Sequence, residues 1–269
     1  MRRSPLARES KNGVEVESFS YLVLGVRVDA VQIPDVCARV EEWIQHRDGC
    51  RYVTVTGMHG IMEAQHDPTL KSILNAADLD VPDGMPLVWL SRLRGRPLAR
   101  RVYGPELMLE VCSQTASRGC SHFLIGGAPG VADRLATALK HRFPTIVISG
   151  TCSPPFQPLT ELQEEDLVAT INRAAPDIVW VGLSTPKQEQ WMHRNRDRLK
   201  AAVVLGVGAA FDIHSGTRNQ APRWMRENGW EWLFRLIQEP KRLWRRYLVY
   251  GPQFLFYVAL ELLKLRSFE

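Results

Sequence analysis

The chain has 269 residues, of which 45% are hydrophobic and 23% are charged. This composition excludes a chain that is disordered throughout, and it suits one large α/β domain with a small appendage or two compact domains. The net charge is +5, and residues 222–246 hold seven Arg or Lys against three Glu. The positive charge is therefore concentrated late in the chain, which indicates an anionic partner such as phosphate, lipid headgroups or nucleic acid.

The N-terminus is basic and lacks the apolar segment of a secretory signal, so we expect residues 1–20 to form a disordered tail. Further on, no segment has the about 18 uninterrupted apolar residues of a membrane span. The nearest approach, residues 247–265, is interrupted by Gly251, Pro252 and Glu261. This segment is expected to lie on a membrane rather than to cross it.

The cysteines number five and contain neither a CxxC pair nor a Cys/His spacing typical of zinc sites. Their number is odd, and several fall inside apolar patterns. We expect reduced thiols in the core, a cytoplasmic protein and no metal site.

Short apolar runs alternate with helical patterns along the middle of the chain. Five runs predict strands, at residues 52–56, 122–125, 146–148, 178–181 and 203–207. Helical periodicity predicts helices between them, at residues 104–118, 130–142, 160–174 and 186–197. The predicted fold class is α/β, with a Rossmann-like, mostly parallel sheet flanked by helices.

Glycine-rich loops follow three of these strands. They are Gly126-Gly127-Ala128-Pro129-Gly130, Gly182-Leu183-Ser184-Thr185-Pro186 and Gly206-Val207-Gly208. Such sheets bind ligands beyond the carboxyl ends of their strands, and glycine lets backbone N–H groups approach an anion closely. A single loop of this kind more often only ends a strand, but three in register favour a site for a nucleotide diphosphate.

The last segment, residues 222–269, departs from this alternation. It has almost no strand pattern, it is rich in tryptophan and arginine, and apolar residues dominate from residue 248 to residue 263. This pattern predicts a helical appendage with a surface suited to a bilayer interface. Packing of the helices onto the core or onto another subunit is the alternative.

Asp83 lies in the segment Pro82-Asp83-Gly84, directly after the apolar Leu79 and Val81. A carboxylate on a loop at a strand end is well placed to act as a general base. However, Pro-Asp-Gly is also ordinary turn chemistry, and from the residues alone the turn is the better interpretation.

Four further polar residues lie near the predicted strand ends. Lys187 and Gln188 begin a helix, where a cation and an amide suit a phosphate and a sugar or base. Asp212 suits a sugar or ribose hydroxyl, or the capping of a turn. His59, in the helix after the first core strand, is a secondary candidate.

Several enzyme classes lack their motifs. The sequence has no GxGxxG after a strand, no GxxxxGK[ST] and no GxSxG. The segment Asp78-Leu79-Asp80 has the letters of a metal-binding DxD pair, but its position is that of a strand entry. A metal-free mechanism is therefore favoured.

Five ordered segments carry a resemblance to a known family. They are Asp78-Leu79-Asp80-Val81-Pro82-Asp83-Gly84-Met85-Pro86, Arg101-Val102-Tyr103-Gly104-Pro105-Glu106-Leu107, Val181-Gly182-Leu183-Ser184-Thr185-Pro186-Lys187-Gln188-Glu189, Gly206-Val207-Gly208-Ala209-Ala210-Phe211-Asp212, and Trp230-Glu231-Trp232-Leu233-Phe234-Arg235-Leu236 with Glu239-Pro240-Lys241-Arg242-Leu243. In these segments the chain resembles the WecG/TagA/CpsF family of bacterial glycosyltransferases, and the resemblance extends from about residue 22 onwards.

The resemblance implies an inverting transfer of a sugar from a UDP-sugar to a polyprenyl-diphosphate-linked saccharide. The reaction would take place on the cytoplasmic face of the membrane, in the synthesis of exopolysaccharide, common antigen or teichoic acid. It also implies that Asp83 is the catalytic base, that Thr54, Arg101 and Gln188 surround the substrates, and that arginines of the C-terminal segment approach the diphosphates. No cofactor is expected.

Together, the residues and the resemblance predict one set of substrate-binding positions. They are Thr54, Thr56, His59, Arg101, Gly126, Gly127, Gly182, Lys187, Gln188, Gly208, Asp212, Arg223, Arg235, Arg242 and Arg245. We divide the chain into a tail (1–20), a nucleotide-sugar-binding catalytic core (21–221) and a helical membrane-associating appendage (222–269).

Two departures from the family pattern concern the identity of the donor sugar. Thr56 stands where many relatives have Asn, and Gln220 stands where many have Arg. An N-acetylmannosamine donor is therefore not assumed, and a hexose or hexuronic acid fits equally well.

Two other functions remain open from the sequence. A nucleotide-dependent oxidoreductase agrees with the Rossmann-like pattern, and a non-catalytic membrane-surface protein agrees with the basic, Trp-rich C-terminus. Nucleic-acid binding is not expected, because the basic residues alternate with long apolar stretches. The oligomeric state, including a homo-oligomer, is not determined by the sequence.

Overall fold

The computed structural model describes residues 19–155 and 157–268. The tail predicted for residues 1–20 falls almost entirely outside these ranges. At its boundary the prediction is wrong, because Ser20 already begins a strand.

Strands form a small hairpin and a six-stranded parallel sheet. The hairpin consists of β1 (Ser20–Val23) and β2 (Val26–Asp29), and the sheet of β3 (Arg51–Thr56), β4 (Leu79–Pro82), β5 (Ser121–Gly126), β6 (Val147–Cys152), β7 (Ile178–Gly182) and β8 (Val203–Gly206). The spatial order is β4-β3-β8-β7-β5-β6. The predicted α/β fold with a parallel sheet is confirmed.

Thirteen α-helices are present in the described residues. They are α1 (Ile33–His46), α2 (Met58–His66), α3 (Pro68–Asn75), α4 (Met85–Leu93), α5 (Gly104–Ala116), α6 (Val131–Arg142), α7 (Glu161–Ala174), α8 (Lys187–Asn195), α9 (Ala210–His214), α10 (Arg223–Glu227), α11 (Glu231–Gln238), α12 (Pro240–Trp244) and α13 (Tyr250–Leu262). The four helices predicted between strands correspond to α5, α6, α7 and α8.

Helices cover both faces of the sheet, which explains the continuous apolar runs of its strands. Along β7, Ile178 and Trp180 pack against α1, α5 and α6, whereas Val179 and Val181 pack against α7 and α8. Because side chains alternate along a strand, each central strand contributes to two separate cores. The carboxyl ends of all six strands meet at one edge of the sheet.

The C-terminal segment is helical, as predicted. A π-helical turn (Arg245–Val249) joins α12 to α13 without a break. Phe254 and Val258 of α13 are buried in a cluster with α2, α4 and the hairpin, and Glu261 pairs with Arg94 at 2.5 Å. Within the described ranges, no helix is both long and apolar enough to span a bilayer.

His122 of β5 is fully buried, and both of its ring nitrogens have partners. The indole N–H of Trp180 donates to His122 Nδ1 at 3.0 Å. The Nε2 atom therefore carries the proton, and it lies 3.2 Å from Thr115 Oγ1. Burial lowers the pKa of this imidazole to about 4, so it is neutral in the folded protein.

We predict that His122 makes the stability of the protein depend on pH. Its folded pKa lies below the ordinary value of 6.5, so the unfolded state binds more protons as the pH falls from 6.5 towards 4. His122 alone should remove about 3 kcal/mol of unfolding free energy across that window. Urea unfolding of wild type and His122→Gln at a series of pH values measures the difference in slope.

His141→Gln is the matched control, because His141 is exposed on α6. Its stability should follow the wild-type pH dependence. Equal slopes for wild type and His122→Gln would contradict the prediction.

Candidate active site

A cavity of about 890 Å³ opens at the carboxyl ends of β5, β7 and β8. Gly127, Leu183 and Gly208, in the loops that follow these strands, line it, together with residues of α11 and α13 and of the π-helical turn between α12 and α13. This is where α/β sheets bind their ligands. The structure therefore has a large cleft at the carboxyl ends of the strands, where the sequence predicts a ligand site.

Asp83 lies on the wall of this cavity, directly after β4. Its N–H donates to the carbonyl oxygen of Thr56 at 2.8 Å, and the carbonyl oxygen of the preceding Pro82 accepts from Val102 N–H at 2.8 Å. Gly84 then turns the chain into α4 with a φ of 113°, a value that favours glycine. The backbone of Asp83 is thus held by β3 on one side and by the loop before α5 on the other.

The carboxylate of Asp83 is partly buried and incompletely paired. Its Oδ1 atom lies 3.6 Å from Arg101 Nη1, and it has no hydrogen-bond donor among the described residues. Burial raises the pKa of Asp83, Arg101 opposes this rise, and Glu231 adds to it. A desolvated carboxylate with a raised pKa is a stronger base than an exposed aspartate.

Arg101 connects Asp83 to the C-terminal helices. Its Nη2 atom donates to Glu231, at the start of α11, and its guanidinium lies over the ring of Tyr103, 4.2 Å from the centroid. Tyr103 lines the cavity, whereas Arg101 does not. Any effect of Arg101 on a ligand in the cavity must therefore pass through its neighbours Tyr103 and Asp83.

Six arginines line the cavity. They are Arg194, Arg218, Arg235, Arg242, Arg245 and Arg246. Glu239 pairs with two of them, at 3.0 Å from Arg218 and 2.5 Å from Arg242. Burial lowers the pKa of Arg246, and Arg235 lowers it further, against the opposing effects of Tyr247 and Asp83. The resulting excess of partly desolvated positive charge suits an anionic ligand with several oxygens.

The predicted glycines divide into two groups. A Cβ on Gly126 would lie 2.5 Å from the carbonyl oxygen of Gly182, and a Cβ on Gly182 would lie 2.5 Å from the ring of Phe211. Protein packing therefore requires both glycines, and Gly126 does not line the cavity.

Gly127 and Gly208 do line the cavity, but their N–H groups are engaged. They donate to Gly182 O at 3.2 Å and to Val181 O at 3.3 Å, respectively. These two backbone donors are partly used within the protein, so an anion in the cavity depends more on side-chain cations.

Gln188 is buried at the start of α8 and lines the cavity. Its Nε2 atom donates to Glu189 Oε1 at 2.9 Å, and Thr185 Oγ1 donates to the same oxygen at 2.8 Å. No donor within the described part of the chain reaches Gln188 Oε1. That oxygen can accept a hydrogen bond from a ligand, and Lys187 adds a cation to the same wall.

His59 and Asp212 also line the cavity. The ring of His59 stacks on Tyr250 with centroids 5.8 Å apart, and burial, together with Arg246 and Arg235, lowers its pKa to about 3. His59 therefore offers a neutral imidazole to a ligand. Asp212 Oδ2 lies 3.3 Å from Arg218 Nη2.

Three other predicted residues do not line the cavity. Thr54 is buried within the sheet, where its hydroxyl donates to Asp80 Oδ1 at 2.6 Å, and Thr56 is also buried. Arg223 lies on the exposed surface of α10. The structure thus brings together Asp83, His59, Lys187, Gln188, Asp212 and three of the four arginines predicted in the C-terminal segment.

The Asp78 and Asp80 pair is not directed at the cavity. Asp78 precedes β4 at the end remote from Asp83, and it pairs with Arg51 at 3.3 Å and with Arg196 at 3.5 Å. Asp80 is fully buried inside the sheet. The geometry thus agrees with the interpretation of these residues as a strand entry.

Sequence reasoning missed several residues of the site. They are Tyr103, Glu189, Arg218, Glu231, Arg246 and Tyr250. Glu231 lies in a segment that carries the family resemblance and Arg246 lies in the basic, aromatic C-terminal segment, but nothing in their spacing assigns either residue to the site. Only the path of the helices over the sheet edge selects them.

Comparisons with known proteins point to one family. The sequence model of the Glycosyl transferase WecG/TagA/CpsF family matches residues 21–268. A protein of Bacillus spizizenii strain W23 is 31% identical over 206 residues, which cover 77% of each chain. A protein of Staphylococcus aureus strain MW2 is 27% identical over 239 residues, which cover 88% of this chain and 91% of its own. Both relatives are named N-acetylglucosaminyldiphosphoundecaprenol N-acetyl-beta-D-mannosaminyltransferase.

Proposed function

The chain belongs to the WecG/TagA/CpsF family of glycosyl transferases, and from this premise we propose that it transfers a sugar from a UDP-sugar to a saccharide carried on a polyprenyl diphosphate. We further propose that the transfer inverts the anomeric carbon and needs no metal ion. The observation that carries the proposal is the partly buried, incompletely paired carboxylate of Asp83 on the wall of a cavity that six arginines also line.

Asp83 is the general base of the proposed reaction. Its carboxylate, whose Oδ1 atom lacks a donor among the described residues, takes the proton from an acceptor hydroxyl as the hydroxyl oxygen attacks the anomeric carbon. The attack proceeds from the face opposite the leaving diphosphate, so the configuration inverts. The raised pKa of Asp83 increases its affinity for the proton that it receives.

Arginines stabilise the leaving group. The bond to the sugar breaks as negative charge develops on UDP, and preorganised cations are needed where that charge appears. Arg235 and Arg246 are close enough to Asp83 to influence its pKa, so the positive charge lies near the reacting centre. Together with Lys187 and Gln188, Arg235 and Arg246 stabilise the negative charge that a metal ion stabilises in other transferases.

The proposed acceptor is based on the relatives, whose names describe N-acetylglucosamine linked to undecaprenyl diphosphate. An acceptor of this kind remains in a bilayer. We propose that the C-terminal helices bring the cavity to the cytoplasmic membrane surface, with the enzyme peripheral to it. Large exposed side chains support this, among them Trp224, Trp230, Trp232, Ile237, Leu248, Leu255, Phe256, Leu263 and Leu265.

A donor screen tests the proposed activity. The protein is incubated with undecaprenyl-diphosphate-N-acetylglucosamine and, in turn, UDP-N-acetylmannosamine, UDP-hexoses and UDP-hexuronic acids. We expect one donor class to yield a lipid product one sugar heavier by mass spectrometry, with release of UDP, also in excess EDTA. Loss of transfer in EDTA that Mg²⁺ or Mn²⁺ restores would overturn the metal-free mechanism. Binding of NAD(P) without binding of UDP would favour the oxidoreductase.

Asp83→Asn should lower kcat by about 10²–10⁴, the usual contribution of a general base, because the amide keeps the shape of the side chain but cannot accept the proton. Circular dichroism and binding of UDP should remain close to wild type. Asp166→Asn, which changes an exposed aspartate of α7, is the control and should retain full turnover. Near-normal turnover of folded Asp83→Asn would remove Asp83 from the mechanism.

The combined change Leu255→Ser and Phe256→Ser should reduce co-sedimentation with phosphatidylglycerol–phosphatidylcholine vesicles roughly tenfold or more, because two exposed apolar side chains no longer enter the bilayer. The control is Leu162→Ser with Val147→Ser, which changes two exposed apolar residues of the α/β domain and should bind like wild type. Removal of all residues from Pro222 onwards is a poorer test, because it also takes Phe254 and Val258 from the core cluster. Unchanged binding of the Leu255/Phe256 variant would contradict this orientation.

A further inference from the structure

We propose that Glu231, at the start of α11, is a positioning residue that holds Arg101 away from Asp83 and thereby keeps the base available. The proposal rests on the proposed role of Asp83, and it adds a residue that acts only through Arg101. It also makes the base depend on the C-terminal helices, because Glu231 reaches Arg101 only when α11 lies against the core.

The geometry of Arg101 is divided between two carboxylates. One terminal nitrogen, Nη2, donates to Glu231, whereas the other, Nη1, lies 3.6 Å from Asp83 Oδ1, beyond hydrogen-bonding distance. The aromatic ring of Tyr103, 4.2 Å from the guanidinium, supports it on one face. Arginine normally closes on a carboxylate with two parallel hydrogen bonds. Here Glu231 occupies one of the two donors, so Asp83 keeps an oxygen without a donor among the described residues.

Loss of Glu231 should change this division. The released guanidinium can turn towards Asp83 and bind it through both terminal nitrogens. A carboxylate engaged in this way is a weaker base, and its oxygens are no longer free to accept a proton from a substrate hydroxyl. The acceptor would then meet a blocked base even though Asp83 itself is unchanged.

The charges around Asp83 also indicate that loss of Glu231 would weaken the base. Arg101, Arg235 and Arg246 all lower the pKa of Asp83, whereas burial and Glu231 raise it. Removal of the Glu231 charge therefore leaves the three arginines less opposed. The pKa of Asp83 should fall, and the loss of activity on acidification should move to lower pH.

Glu231→Gln is the direct test, since it keeps the size of the side chain and removes its charge. In the full chain, we expect kcat at neutral pH to fall roughly tenfold, part of the total contribution of a general base, with KM for the donor little changed. The acidic limb of the kcat/KM profile should shift to lower pH. A merely structural role for Glu231 would lower activity without moving that limb.

Two further variants test whether Glu231 acts on Asp83 through Arg101. Glu261→Gln breaks another ion pair between the C-terminal helices and the core, the one with Arg94, and should leave the acidic limb in place. In an Arg101→Met background, Glu231→Gln should cause no further shift, because the intermediary is gone. An unmoved limb in Glu231→Gln, the same shift in Glu261→Gln, or a shift that persists without Arg101 would each overturn the proposal.

The titration of Asp83 can also be measured without turnover. In protein labelled with ¹³C-aspartate, the carboxyl signal of Asp83 is assigned by its loss in Asp83→Asn, and its pKa is compared between wild type and Glu231→Gln. A lower pKa in Glu231→Gln with no transfer from any UDP-sugar would uphold the coupling and overturn the proposed function. Transfer by wild type with an unchanged pKa would do the reverse.

Discussion

The ion triad of Asp83, Arg101 and Glu231 is the constraint on which the rest of the site depends. It joins the end of β4, the loop before α5 and the start of α11, which are far apart in the sequence. Partly buried charges of this kind are destabilising when they lose their partners, so each of the three elements restricts the position of the other two. The C-terminal helices are therefore part of the site rather than an addition to it.

The arginines around the triad favour the binding of an anionic ligand in the cavity. Arg246 is desolvated enough that burial lowers its pKa, and Arg235 lowers it further. An anion among these side chains would relieve their mutual repulsion, so its binding should stabilise the packing of the C-terminal helices against the core. The same positive charge weakens Asp83 as a base. Glu231 offsets this effect at the one position where a base is needed.

The sequence predicted those parts of the fold and site whose signal is local. Central strands such as β7 are apolar on both faces and were found, whereas β4, which contains Asp80 and Pro82, was not among the five predicted runs and was indicated only by a strand entry at Asp78 and a strand end at Asp83. The edge strand β6 was predicted to end at residue 148, because its second half is the weakly apolar Ser149-Gly150-Thr151-Cys152. Asp83 was found through its motif, but Glu231 and Arg246 acquire their roles only from the packing of distant helices.

The two departures from the family pattern differ in their access to the cavity. Thr56, in place of the usual Asn, is buried on β3 and does not line the cavity, so any influence on the donor must pass through its neighbours. Burial raises the pKa of Tyr103, and Gln220, in place of the Arg of the family pattern, lowers it, so Gln220 lies beside a residue that lines the cavity and supports Arg101. An arginine at that position would place another cation beside Tyr103 and compete for Glu231. Residue 220 is therefore the departure that is connected, through Tyr103, to both the cavity wall and the triad.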